Sequence, residues 1–205
     1  MNSQLLWFAT RGAGTVSLIL ATIVVCLGIL TVLRWQTADW PRFLTAELHR
    51  NLALLSIVFL AIHIVTAVVD PFANMGFLSA IVPFVSPYRP LWIGIGVISI
   101  DLGLAVVVTS LLRAQIGEQA WRVVHWAAYG AWPLAVLHSI GAGSDAGAIW
   151  MLGVDVVCIG AVVLAVIWRL AAAHRNRDEL AGVADGTLLP PPPRAGPGRA
   201  AFRDR

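Results

Sequence analysis

Apolar residues run along this chain in blocks too long for strands and too uniform for one-sided helices. The first block, Gly14–Leu33, carries no charge. The second, Ala46–Val69, is apolar after Arg50, and the third, Leu91–Leu112, is broken only by Asp101. The fourth is Trp121–Gly141, and the fifth, Gly147–Trp168, is broken only by Asp155. A helix needs about 20 apolar residues to cross the hydrocarbon of a bilayer, and each block meets that length. Lipid offers no partners to backbone N–H and C=O groups, so such segments are expected to be helical. The pattern therefore predicts an all-α, polytopic transmembrane bundle of about five spans.

The connection from Asp70 to Pro90 is longer than the rest. Its apolar stretch Gly76–Val85 is too short to cross and reads as an interfacial or re-entrant segment, bounded by Pro71 and by Pro83, Pro87 and Pro90. Residues 1–13 read as an N-terminal segment and 14–172 as the membrane domain. Residues 173–205 read as a basic tail, disordered from about Gly182, with Pro190–Pro193 and Pro197.

Composition narrows the class. Hydrophobic residues make up 59% of the 205, charged residues 12%, and mean hydropathy is +0.81. A soluble domain carries about 25% charged residues, so a cytoplasmic globular enzyme and a disordered chain are both excluded. All 14 basic residues are arginine, and they cluster in the spacers and tail, where they face anionic lipid rather than nucleic acid. Arg34, Arg42, Arg50, Arg113, Arg122, Arg169, Arg175 and Arg177 fall on one side of the expected bundle, against Arg11 and Arg89 on the other. The positive-inside rule then puts the C-terminus in the cytoplasm and the N-terminus outside. Cys26 and Cys158 lie in apolar runs and read as small fillers, not as a disulfide.

Four of the five histidines lie within spans: His49 and His63 on the second, His125 and His138 on the fourth. Ionisable groups in hydrocarbon are costly and are functional candidates by default. Spacings of 14 and 13 residues correspond to rises of about 21 and 19.5 Å. The two spans run in the same direction, so His49 shares a level with His125, and His63 with His138. One imidazole from each of two helices, at each of two levels, is what ligation of a porphyrin iron on both faces requires. Zinc or di-iron sites gather their ligands at one depth instead. One geometric problem remains. On a straight helix 14 residues bring His63 to within about 40° of His49, but 13 residues leave His138 about 140° from His125. Pro133, between them, is expected to bend the helix.

These residues resemble the ferric reductase-like transmembrane domain family, which includes ferric reductases, NADPH oxidase membrane domains and the haem subunit of the bacterial periplasmic methionine sulfoxide reductase system. The resemblance covers about residues 10–172. It rests on His49-x13-His63 and His125-x12-His138, with P-Y-R-P-L-W at 87–92, W-R-V-V-H-W-A-A-Y at 121–129 and W-P-L-A-V-L-H at 132–138. It implies two stacked b-type haems between spans two and four. His49 and His125 would hold the inner one, His63 and His138 the outer, and electrons would cross a bacterial plasma membrane. Arg50 and Arg122 are candidates for the inner haem propionates and Arg89 for the outer ones. Many members carry six spans and a flavin and pyridine-nucleotide module. Here 31 residues follow His174, without a Gly-rich dinucleotide loop. The expected donor is therefore a quinol or a separate cytoplasmic reductase, and the expected acceptor an extracytoplasmic redox protein or a ferric chelate. No bond-making catalytic residue is expected. The competing class is a transporter or scaffold with structural histidines, and a transporter should show a broken helix. Asp101 and Asp155 read as structural carboxyls, Asp145 as the N-cap of the last span, and His174 as solvated.

Overall fold

The computed structural model describes residues 3–33, 35–37, 40–71, 75–143, 145 and 147–185. Arg34 and the proline-rich part of the tail lie outside these residues. The described chain is helical, with no strand among the described residues. Helix α1 spans Ser3–Val32, α2 Arg42–Val69, α3 Pro90–Leu111, α4 Arg113–Ile116, α5 Glu118–His125, α6 Ala128–Ala142 and α7 Ile149–Ala184. A 3-10 turn, Phe77–Ala80, sits in the long connection. Residues up to Val166 form one compact unit, and Ile167 onward a second.

Among the described residues four helices contain segments long and apolar enough to cross a membrane: Gln4–Val32, Arg42–Val69, Pro90–Leu111 and Ile149–Arg175. The fourth expected span is not one helix. It is α5 followed by α6, with Trp126 and Ala127 between them. Both residues keep right-handed helical dihedrals, φ −61° and ψ −23° for Trp126 and φ −60° and ψ −21° for Ala127. What changes is the hydrogen bonding: Ala127, Tyr129 and Gly130 donate to Val124, Trp126 and Ala127, three residues back. That is 3-10 winding, at about 120° per residue instead of 100°. Over four to five residues it recovers roughly 80–100° of the roughly 140° by which a uniform helix would misalign His125 and His138. Pro133, inside α6, cannot donate to the carbonyl four residues back, which loosens the ladder beside this tightened stretch.

Two other boundaries differ from the sequence reading. Helix α1 starts at Ser3, not near Gly14, so Arg11 lies within it. Its charge is met by Asp145, whose carboxylate pairs with the guanidinium; the two side chains are only 18% and 17% exposed. Asp145 therefore neutralises α1, and the sequence reading of it as the N-cap of the last span is replaced by this ion pair. At the other end α7 continues to Ala184, so 173–184, expected to belong to the tail, are helical. Within that stretch His174 is exposed, with Asp178 3.8 Å away.

Packing in the first unit relies on small and hydroxyl side chains, as expected where lipid tails compete with apolar contacts between helices. Ser17 and Ser56 each donate to the other's carbonyl at 3.2 Å, drawing α1 and α2 together. Ser99 on α3 donates to the Ala131 carbonyl of α6 at 2.8 Å. The Trp132 indole of α6 donates to Thr22 of α1 at 2.9 Å. Leu18, Val136 and Cys158 form a buried apolar cluster joining α1, α6 and α7. Both cysteines are free. Large apolar side chains otherwise face outward, among them Leu111, Val123 and Val157.

Removing one member of a covered ion pair strands the other charge at a cost of roughly 3–5 kcal/mol. Asp145→Ala is therefore expected to lower the thermal unfolding midpoint of the detergent-solubilised protein. The double variant Arg11→Met, Asp145→Asn is expected to recover most of the loss. Equal losses in the single and double variants would dismiss the pair as a stabilising element.

Candidate functional site

The four span histidines come together in two pairs. The imidazole centroids of His49 and His125 are 6.3 Å apart and those of His63 and His138 6.2 Å, with the rings inclined at 57° and 85°. Both distances are too long for a direct hydrogen bond between the rings and lie at the outer part of the range for edge-to-face contact. Two imidazoles binding one metal ion from opposite sides, at about 2.0–2.1 Å per bond, place their centroids roughly 6.3 Å apart. Each pair thus has the separation that a metal in a flat macrocycle requires. Among the described residues no cluster of three or more His, Cys, Asp or Glu could hold a metal ion without such a macrocycle.

Three of the rings are oriented by the same device. His49 Nδ1 lies 2.9 Å from the Val24 carbonyl, His63 Nδ1 2.8 Å from that of Thr10, and His138 Nδ1 2.8 Å from that of Trp92. A carbonyl can only accept, so each Nδ1 is the donor, and in a neutral ring the Nε2 lone pair is left free to ligate. The residue four positions after each acceptor is a glycine: Gly28 after Val24, Gly14 after Thr10, Gly96 after Trp92. A Cβ at Gly14 would stand 2.7 Å from His63 Nδ1, and one at Gly28 3.4 Å from His49 Cε1; one at Gly96 would overlap the His138 ring. The absent side chain lets an imidazole reach the carbonyl one helical turn back. That these glycines serve histidines was not legible in the sequence, because the pairing joins residues of different helices.

His125 departs from the pattern. Its Nδ1 is buried and has no hydrogen-bond partner among the described residues. The Trp121 ring, 4.8 Å away at 34°, lies against it instead.

The three candidate arginines are placed differently. Arg50 is exposed near Glu47, at 3.9 Å, and Arg122 is exposed and bonded to Glu118 at 2.7 Å. Arg89 donates through Nη1 to the carbonyls of Gly141 and Gly143, at 2.6 and 3.2 Å, and so closes the C-terminus of α6. Its left-handed backbone, φ 41° immediately before Pro90, is a strained conformation. Asp101 is exposed on α3, and Asp155 is buried on α7 facing Ser139. Sequence reading put Arg11 on the same side as Arg89 without connecting it to a histidine; in the structure it follows Thr10, the His63 acceptor, and pairs with Asp145.

An added methyl in a filled space costs about 1–3 kcal/mol, whereas glycine to alanine in an open helix position gains about 0.5–1 kcal/mol. Gly14→Ala and Gly96→Ala are therefore expected to lower the unfolding midpoint. Gly12→Ala and Gly103→Ala, with open space at the Cβ, are expected to raise it, and Gly28→Ala to fall between. A uniform response across the five would remove the glycine–imidazole contact from the account.

The sequence profile described as ferric reductase like transmembrane component matches residues 13–136. The match takes in His49, His63 and His125 and stops two residues short of His138. No curated protein and no solved structure gives a match. With well over half its length inside that profile, with its long apolar helices and with histidines facing across the bundle, the chain belongs to the ferric reductase-like transmembrane family.

Proposed function

We propose that this chain is a di-haem b-type cytochrome that conducts electrons across a bacterial plasma membrane. The observation that carries the reading is the equal spacing of the two histidine pairs, 6.3 and 6.2 Å between centroids at two levels of one bundle. Haem, when bound, supplies one-electron chemistry at an iron that changes charge without moving protons. The chain's own contribution is to hold and orient. His49 and His125 would ligate the inner group, and His63 and His138 the outer. Carbonyls of α1 and α3 fix three of the four rings, which raises their basicity as ligands.

The arginine environment supports part of the earlier expectation. Arg122 and Arg50 lie on the same helices as His125 and His49, and their exposed guanidinium groups, whose partners Glu118 and Glu47 are also exposed and so exchangeable, are suited to propionates at the inner level. Arg89 is already engaged with the end of α6, and Arg11, at the outer level, is paired with Asp145. Orientation by the positive-inside rule places the C-terminus in the cytoplasm. The donor in this reading is a quinol or a separate cytoplasmic reductase, and the acceptor an extracytoplasmic redox protein or a ferric chelate.

A transporter reading would draw on the interruption between α5 and α6. An ion-binding break exposes unwound carbonyls, whereas Trp126 and Ala127 stay helical and hydrogen-bonded. The interruption is better explained by the alignment of His125 with His138.

Purified full-length protein is expected to give a reducible b-type optical spectrum with two haems per chain. His63→Ala or His138→Ala is expected to lose about half the haem while the inner site stays filled. A protein without a b-type spectrum would overturn the reading, and full haem retention in either variant would overturn the pairing.

A further inference from the structure

We propose that His125 is the exchangeable ligand of the four, so that the His49/His125 level is where a small neutral molecule from outside can bind a haem iron. The inference rests on the haem reading above. It is carried by the way α3 meets the two histidines of the α5–α6 segment.

His138 and His125 lie 13 residues apart on a segment that packs against α3 through both α5 and α6. His138 bonds the Trp92 carbonyl over Gly96. Fourteen residues further along α3, a rise of about 21 Å, the corresponding positions are Val106 and Ser110. Here the device is absent. Ser110 stands where the glycine would be, and its hydroxyl donates to the Val106 carbonyl at 2.6 Å. The same hydroxyl accepts from the Trp121 indole at 3.1 Å, and that indole is the ring lying 4.8 Å from His125. The neighbouring carbonyl, Ala105, is taken in the same way by Thr109 at 2.7 Å. The acceptors that would serve His125 are thus already bonded, and a tryptophan stands at the approach.

The consequence is specific to a bound metal. When Nε2 ligates, the proton of a neutral imidazole must sit on Nδ1. For His49, His63 and His138 that proton meets a carbonyl. For His125 it points into a buried place with no acceptor among the described residues. Loss of such a supporting partner typically weakens a metal–histidine site about 10–100-fold. The supporting element is also slight: α5 has eight residues, follows Gly117 at φ +81° and the single-turn α4, and buries none of its residues. His49, by contrast, sits in the first half of the 28-residue α2. Of the four ligands, His125 is the one whose release costs the chain least.

Carbon monoxide is the probe, because it binds only ferrous haem with a free or freed axial position. Dithionite-reduced full-length protein, titrated with carbon monoxide and followed by optical difference spectra, is expected to bind at about half of its haem. His125→Ala is expected to keep that stoichiometry and bind at a roughly 10–100-fold lower gas concentration. Ser110→Gly, which removes the 2.6 Å hydroxyl bond to the Val106 carbonyl and opens the space beside it, leaving the longer Thr109 bond at 3.2 Å, is expected to weaken binding of the gas. Wild-type protein that binds none at saturating gas would overturn the inference, as would binding at both haems. If His125→Ala does not retain its inner haem, Ser110→Gly decides: an unchanged affinity overturns the inference and a weakened one supports it. Failure of the underlying reading looks different, since wild-type protein would then show no b-type spectrum before any gas is added.

Discussion

The hydrogen bond from an imidazole Nδ1 to the carbonyl of a neighbouring helix is the interaction around which this bundle is arranged. It satisfies a polar group in a medium that offers no other partner. It fixes which nitrogen carries the proton and therefore which one faces the space between helices. It also dictates the helix surface opposite, because a ring can reach a main-chain carbonyl only where the residue one turn on has no side chain. Gly14, Gly28 and Gly96 meet that demand for His63, His49 and His138. Helix α1 supplies two of the three acceptors, which explains why it must lie close along α2. The reciprocal Ser17–Ser56 bonds hold it there, between the two histidine levels.

Hydrocarbon surroundings shape the remainder. Apolar surface gains little by leaving lipid for protein, so buried apolar residues are few and contacts are made by serine, threonine, tryptophan and glycine. Helix α2 shows this most clearly: over 28 residues it buries only Thr45, whose hydroxyl accepts from the Trp40 indole at 2.9 Å. Charges within the helical region are matched in the same spirit. Arg11 meets Asp145, and Arg89 meets the last carbonyls of α6. These two contacts tie the start of α1 and the start of α3 to the α6–α7 connection, so the His63/His138 end is braced by charge. The His49/His125 end is closed by exposed ion pairs at Glu47 and Glu118, which contribute little stability in contact with solvent.

The two levels are consequently unequal. At one, both rings are held by carbonyls and flanked by a covered ion pair. At the other, a ring on a long helix faces a ring on an eight-residue helix against a tryptophan. The inequality has a topological origin. The segment bearing His138 and His125 winds as an α-helix, then as a 3-10 stretch, then as an α-helix again. That winding turns both histidines toward α2. It does not restore the same register against α3, where the residue opposite is a glycine at one level and a serine at the other.

Much of this was determined by the sequence alone. Twenty-residue apolar blocks admit only helices in a membrane, and a 14-residue separation on one helix places His49 and His63 on one face at two depths, because rise and turn per residue are fixed by backbone geometry. The membrane character, the expected histidine partners and the family resemblance all follow from those regularities. Three things were decided only by tertiary structure. The alignment of His125 with His138 depends on hydrogen bonds that shift from four to three residues back, which neither residue type nor spacing encodes. The extent of α1 depends on Asp145, 134 positions after Arg11, arriving to neutralise it. The supported or unsupported state of each imidazole depends on which carbonyl of another helix lies opposite, and on whether a glycine or a serine stands one turn beyond it. Local rules set what each segment is, but a hydrogen bond between helices exists only once both have been placed.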